Sequence, residues 1–139
     1  PEPLDELQSI KHSFDWVSAY DSPWLEKKHK RTFMMTAFFG AVPKHPLAKR
    51  YVDNIVNNVE TKHYGDVSLD TTGPGCFGKS FDEMKLNTSN MLIGRHDRNF
   101  FKFSGIKWVQ QKCEKCTKGQ DWKHGNNYNV LWKNKTYYS

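Results

Sequence analysis

The chain has few cysteines and no long apolar run, and both absences narrow what it can be. Only three cysteines, Cys76, Cys113 and Cys116, occur among the 139 residues. An odd number excludes a complete disulfide framework, so a reducing compartment such as the cytoplasm is favoured. No apolar stretch within the sequence approaches the length of a membrane-spanning helix, and internal repeats are absent.

Unbroken basic runs of five or more residues are also missing, although the formal net charge is +6. Scattered positive charge favours an anionic partner, whether a nucleotide diphosphate, a nucleic acid or a lipid surface, without choosing among them. Aromatic side chains make up 14% of the chain and include five tryptophans. Such side chains serve carbohydrate-binding and base-stacking surfaces as well as cores. The length predicts one domain.

Apolar patterning alternates between strand and helix through the first half of the chain. Residues 14–20 and 32–41 predict strands, and the second is apolar nearly throughout, as in a strand covered on both faces. The segment WLEKKHKR between them predicts an exposed connection. Pro46 begins the clearest helix, whose apolar face repeats at four-residue spacing with valines on its flanks. The apolar residues of this helix are Leu47, Tyr51, Ile55, Val52, Val56 and Val59.

The remaining elements are predicted to be shorter. The segment PLDELQSI predicts a first short helix, and NMLIG and FFKFSG predict two short strands. A further helix is expected through Phe77, Phe81 and Met84. Residues 107–139 are predicted to be loop-rich and to fold over the domain or its ligand. Strands and helices in alternation predict an α/β fold.

The stretch DTTGPGCFGKSF, residues 70–81, is the most distinctive local motif. In one interpretation it is an ordinary helix start, with Thr72 as the capping residue and Pro74 in the first turn. In the other, Gly73 and Gly75 lack Cβ atoms so that a sugar or phosphate oxygen can approach the peptide N–H groups at the positive end of the helix. The motif alone leaves both interpretations open.

The order of motifs resembles that of glycosyltransferases whose sugar-binding region contains an Asp-x-Asp motif. PEPLDEL, FDWVSAYDS, VPKHPLAKRYVDNI and DTTGPGCF follow one another as in that family. The resemblance covers residues 1 to 84, and its most specific part is Lys44-His45-Pro46 followed by Thr72-Gly73-Pro74-Gly75. The family includes initiating α-1,6-mannosyltransferases, inositolphosphoceramide mannosyltransferases and capsular-polysaccharide transferases.

The resemblance implies that residues 1–139 form the C-terminal, acceptor-side half of a GT-A fold, with a mixed sheet and flanking helices. It implies transfer of a hexose from GDP-mannose or a UDP-hexose to a glycan or glycolipid acceptor, with retention of configuration. It also implies a divalent metal, Mn²⁺, held mainly by an Asp-x-Asp expected upstream of Pro1. This chain alone is therefore expected to be an inactive fragment. A membrane anchor among the expected upstream segments would place the enzyme in the Golgi lumen.

Several residues are candidates for the site that the resemblance implies. Asp21 is the candidate catalytic residue, because ligands of α/β sheets bind at the carboxyl ends of strands. His124 is a candidate metal ligand, since neutral imidazole binds such metals. Trp132 is expected either to stack on a sugar or to anchor the tail. The substrate-binding turn comprises Thr72, Gly73, Pro74 and Gly75, which we expect to share one rim of the sheet with Asp21. His45 is expected to start a helix.

A CxxC motif, Cys113-Glu114-Lys115-Cys116, supports a different class of protein. A basic zinc-ribbon-like nucleic-acid-binding module would use it together with His124 and Cys76, and would stack bases on Trp108, Trp122 and Trp132. A structural zinc site needs four ligands and no second CxxC is present, so we expect free thiols without bound metal and disfavour nucleic acid as a partner. A non-catalytic glycan-binding remnant of an enzyme is the third alternative.

Overall fold

The computed structural model of the chain describes residues 14–97, 100–103, 106–110 and 128–138. The helices are α1 (Pro23–His29), α2 (Pro46–Glu60), α3 (Pro74–Met84) and α4 (Tyr128–Lys133). The strands are β1 (Trp16–Tyr20), β2 (Gly40–Ala41), β3 (Met91–Asp97), β4 (Phe100–Phe103) and β5 (Ile106–Gln110). This arrangement confirms the predicted α/β class with a mixed sheet and flanking helices. Over the described ranges, no helix is long and apolar enough to span a bilayer.

One sheet contains all five strands in the order β2-β1-β3-β4-β5. Strands β1 and β3 are parallel, whereas the other neighbouring pairs are antiparallel. Tyr20 of β1 lies opposite Arg95 of β3 in the parallel register. Parallel strands end at the same edge of a sheet, so the residues that follow Tyr20 and Arg95 meet there.

The main core lies between the sheet and helices α2 and α3. Trp16, Leu47 and Phe77 are fully buried in it. The Tyr51 ring stacks on the Phe77 ring with centroids 4.4 Å apart. Burying one such large apolar side chain contributes about 1.5–3 kcal/mol, and the packing of α2 against α3 fixes the start of α3. A second, smaller cluster contains Ala19, Met35, Phe101 and Phe103.

Helix α2 forms where the apolar repeat predicts it, but only one strip of it is buried. His45 is the N-cap, and its imidazole Nδ1 accepts a hydrogen bond from the Leu47 N–H at 3.2 Å. This confirms that His45 starts the helix. Leu47 and Tyr51 are buried, and Ile55 is half-buried. The flanking valines of the helix, in contrast, are about half exposed; they are Val52, Val56 and Val59.

The segment WLEKKHKR is largely helical, so the prediction of a connection is wrong, whereas its predicted exposure is confirmed because no residue of the helix is buried. Pro23 occupies the first turn of α1, where its missing N–H costs nothing. Lys30 ends the helix in a left-handed conformation with φ 52°, and its N–H donates to the Glu26 carbonyl at 2.8 Å. These local start and stop residues make a short helix in a stretch that otherwise has few apolar residues.

The predicted strand at residues 32–41, covered on both faces, is also wrong. The segment pairs with β1 only through β2 and through an isolated bridge between Tyr20 and Met34. Between these two contacts the chain bulges away from the sheet edge, and Thr36, Ala37 and Phe39 are exposed. Its apolar composition reflects the three buried residues Phe33, Met34 and Met35.

The described residues of the C-terminal part include one strand and one short helix, and the loop-rich character predicted for residues 107–139 stays a prediction. Strand β5 extends the sheet, and α4 forms a short helix near the end of the chain. Residues 111–127 lie outside the described ranges. The helix predicted before residue 14 also lies outside them.

Candidate functional site

Asp21 and His96 lie side by side at the carboxyl ends of the parallel strands. Asp21 directly follows β1, and its side chain is 12% exposed. Its Oδ1 accepts a hydrogen bond from the Ser22 N–H at 2.6 Å, and its own N–H donates to the Phe33 carbonyl at 2.8 Å. His96 Nδ1 is 3.8 Å from Asp21 Oδ1, which is longer than a hydrogen bond.

His96 is the member of this pair that the sequence analysis missed. Its ring packs against Phe101 with centroids 5.6 Å apart, and its side chain is 15% exposed. The Nε2 atom is shielded from solvent and has no hydrogen-bond partner in the described part of the chain. One feature of the sequence could have indicated His96. VSAYD and LIGRHD are similar, because in both a short apolar strand ends in polar, ionisable residues.

The glycine turn, residues 72–75, begins helix α3, and the Thr72 side chain does not cap the helix. The N-cap is Gly73, and no side chain caps the helix. Instead, the Leu69 carbonyl accepts hydrogen bonds from the N–H groups of Gly75 and Cys76, at 2.9 and 3.4 Å. The predicted cap at Thr72 is therefore wrong, because a backbone carbonyl already occupies the position that its hydroxyl would take.

Close packing explains why Gly75 has no side chain. A Cβ atom there would collide with the carboxylate of Asp70. Asp70 is buried and binds one Arg31 nitrogen through both oxygens, at 2.6 and 2.7 Å. The N–H groups of Gly75 and Cys76 already bond to a carbonyl. These two backbone donors are therefore not available to a ligand that approaches the turn.

Side chains of α2 also hold the glycine turn in place. Asn58 Nδ2 donates to the carbonyls of Asp70 and Thr71, at 3.1 and 2.9 Å. The Tyr51 hydroxyl donates to the Thr72 carbonyl at 2.6 Å, and burial raises the pKa of Tyr51 to about 12. Burial likewise raises the pKa of the Cys76 thiol to about 11, so Cys76 is a neutral, unreactive core residue at physiological pH.

The C-terminal segment, residues 128–138, brings two tyrosines to the same place. The Tyr137 hydroxyl donates to the Tyr128 carbonyl at 2.8 Å, and burial raises the pKa of Tyr137 above its ordinary value. The Trp132 Nε1–H donates to the Tyr64 carbonyl at 2.7 Å. Trp132 does not line the pocket described below, so this contact supports the anchoring alternative rather than stacking on a sugar.

A cavity of about 530 Å³ lies where these three parts meet. Its size is typical of pockets that hold small molecules. The lining includes Asp21, His96, Thr72, Gly73, Pro74, Tyr128 and Tyr137, but not Gly75. The structure thus brings Asp21 and most of the glycine turn to one pocket, as expected from the sequence. The described lining residues include no lysine or arginine, although the chain is basic overall.

The described residues do not form a metal site by themselves. They contain no group of three or more His, Cys, Asp or Glu side chains that would hold an ion. Asp21 and His96 would offer two ligands at most. The candidate ligand His124 and the thiols Cys113 and Cys116 lie outside the described ranges, so their predicted roles stay predictions.

Comparison with known proteins adds no assignment to this geometry. No family model matches the chain, and neither a curated protein nor a solved structure is significantly similar to it.

Proposed function

We propose that this chain is the acceptor-side half of a GT-A-type glycosyltransferase, which transfers a hexose from a nucleotide sugar to a glycan or glycolipid with retention. The observation that supports this most is the pocket, in which a carboxylate, an imidazole and two tyrosine rings surround one cavity. The motif order described above supports the same proposal independently.

The chemistry of the lining matches a sugar ring. A hexose presents hydroxyl groups around its edge and apolar C–H groups on its faces. Asp21 and His96 offer hydrogen-bonding groups at one side of the cavity, and Tyr128 and Tyr137 offer aromatic surface with polar tips. The cavity volume of about 530 Å³ accommodates a sugar together with part of an acceptor.

The diphosphate of the donor needs different surroundings from this pocket. In the proposed enzyme, the Asp-x-Asp expected upstream would hold Mn²⁺, which neutralises the charge of the departing nucleoside diphosphate. The described lining offers no cationic side chain, and the first N–H groups of α3 are already bonded. We therefore assign the neutral hexosyl group and the acceptor to this pocket and the diphosphate to the other half.

The test uses a longer protein that contains both this chain and the Asp-x-Asp expected upstream. Hydrolysis and transfer are measured with GDP-mannose and a panel of UDP-hexoses, with and without Mn²⁺. Turnover should require the metal and should fall at least about tenfold in Asp21→Asn, because a carboxylate that binds sugar is lost. Asp53→Asn is the matched control, since Asp53 is an exposed residue paired with Lys49 on α2.

Three results would contradict the proposal in different ways. Sugar binding without turnover of any donor would favour the glycan-binding alternative. Stoichiometric zinc together with nucleic-acid binding would favour the zinc-ribbon alternative. Full turnover by Asp21→Asn would show that the pocket is not the reaction site.

A further inference from the structure

We propose that Asp21 and His96 together clamp a single hydroxyl group of the sugar that occupies the pocket, an inference that rests on the proposed function. The two side chains come from neighbouring parallel strands and line the same cavity. His96 is then a substrate-positioning residue of the site rather than a packing residue of the sheet edge.

The distance between the two groups fits one intervening oxygen. His96 Nδ1 and Asp21 Oδ1 are 3.8 Å apart, too far for a direct hydrogen bond. A hydroxyl oxygen about 2.8 Å from each atom would bridge them with ordinary hydrogen-bond lengths. Such an oxygen would sit beside the pair on the pocket side, since both residues line the cavity.

The polarity of the pair selects an alcohol. A carboxylate accepts hydrogen bonds only, whereas an imidazole nitrogen that carries its proton donates one. A hydroxyl group both donates and accepts, so it donates to Asp21 Oδ1 and accepts from His96 Nδ1–H. A phosphate oxygen only accepts and would be repelled by Asp21. The clamp therefore prefers a hydroxyl group to a phosphate group.

Both members of the clamp are held in place before a ligand arrives. The Ser22 N–H fixes the Asp21 carboxylate, and the Asp21 backbone N–H bonds to the Phe33 carbonyl. The His96 ring rests on Phe101, and its Nε2 is shielded from solvent. Nδ1 is consequently the nitrogen available to a ligand. A preformed pair loses little conformational entropy on binding.

The experiment observes His96 directly by NMR in the isotopically labelled 139-residue chain. Methyl α-mannoside and methyl α-glucoside are titrated as sugar probes, with inorganic pyrophosphate as the anionic comparator that carries no alcohol group. The His96 ring signals should show the Nδ1–H tautomer and should shift with the same Kd as the ring signals of Tyr128 and Tyr137. Pyrophosphate should leave the His96 signals unchanged.

A panel of monodeoxy methyl hexosides then identifies the clamped hydroxyl. One deoxy sugar should bind the unmodified chain at least about tenfold more weakly, because the buried polar pair is left without its partner. The His96→Phe variant should bind the parent sugar about as weakly as the unmodified chain binds that deoxy sugar. Removing the same hydroxyl group should then weaken binding to His96→Phe very little further. His63→Phe and Asp53→Asn serve as controls, because both residues are exposed and outside the pocket.

The outcomes separate the clamp from the proposed function. If sugars shift the tyrosine signals but leave His96 unchanged, or if every deoxy sugar binds equally well, the clamp is wrong and the proposed sugar pocket stands. If no sugar shifts any pocket signal, both fail. His96→Gln keeps a hydrogen-bonding side chain and should bind more tightly than His96→Phe, and equal weakening in both variants would point to loss of packing instead.

Discussion

Two of the walls that line the pocket are built in different ways. One wall comprises residues 69–75, which contain the glycine turn and the start of α3. Its backbone groups bond to buried side chains. The other wall is the C-terminal segment, whose helix α4 has no buried residue. That segment is held by side-chain hydrogen bonds and by ring contacts such as the stack of Tyr64 on Tyr137, with centroids 5.8 Å apart.

Because of this difference, the glycine turn rather than the C-terminal segment sets the geometry of the site. The turn bonds to Tyr51 of the main core and to the buried Asn58 of α2, so it cannot move without disturbing α2 and α3. The C-terminal segment has no buried helix residue and is held by hydrogen bonds and ring contacts of its side chains, so we expect it to open locally at lower cost. A ligand is therefore expected to meet a fixed turn and an adjustable aromatic cover.

The largest effect is expected from Asp70→Ala in the turn. Asp70 binds Arg31 and also accepts hydrogen bonds from the N–H groups of Asp66 and Val67, at 2.8 and 3.1 Å. Removing the carboxylate leaves a partly buried guanidinium and two amides without this partner, which should lower the free energy of unfolding by about 3 kcal/mol or more. Urea denaturation measures the change.

Asp53→Ala is the control for this substitution. Asp53 pairs with Lys49 at 2.7 Å, but both side chains are at least half exposed. Such a pair contributes about 0.5 kcal/mol or less. Equal losses in the two variants would show that the turn is no more firmly built than the surface of α2.

The next effect concerns alkaline pH and the buried thiol of Cys76. Burial raises its pKa from 9.0 to about 11 in the folded chain. The unfolded chain then releases the thiol proton first, so the stabilising contribution is complete below pH 9.0 and is lost as the pH rises towards about 11. Unfolding free energies measured across this window should fall more steeply for the unmodified chain than for Cys76→Ala. Parallel curves would mean that the thiol is not buried as described.

A smaller loss is expected from Tyr51→Phe. The substitution keeps the ring that stacks on Phe77 and removes only the hydroxyl that donates to the Thr72 carbonyl. The free energy of unfolding should fall by about 1 kcal/mol, the usual contribution of one such hydrogen bond. Tyr128→Phe is the control, because Tyr128 is 50% exposed. If Tyr128→Phe lowered the free energy of unfolding more than Tyr51→Phe, the C-terminal segment rather than the turn would be the more firmly held wall.

The sequence predicted the parts of this site in which local pattern and tertiary packing agree. Strand β1 and helix α2 formed as expected. In α2 the apolar repeat and the proline at the helix start predict the same structure. The segment 32–41 did not, because its apolar residues serve a bulged sheet edge. His96 was missed because its importance depends on the parallel pairing of β1 with β3, which no local pattern reveals.

The smallest effect should come from Trp132→Phe in the C-terminal segment. The variant loses the hydrogen bond from Trp132 Nε1–H to the Tyr64 carbonyl but keeps an aromatic ring on α4. Amide hydrogen exchange in residues 128–138 should become about two- to threefold faster, which corresponds to loss of about 0.5 kcal/mol of local stability. Exchange in α3 should not change, because none of its core contacts is touched. If α3 accelerates to the same extent, the two walls unfold as one unit and the aromatic cover is not independently adjustable.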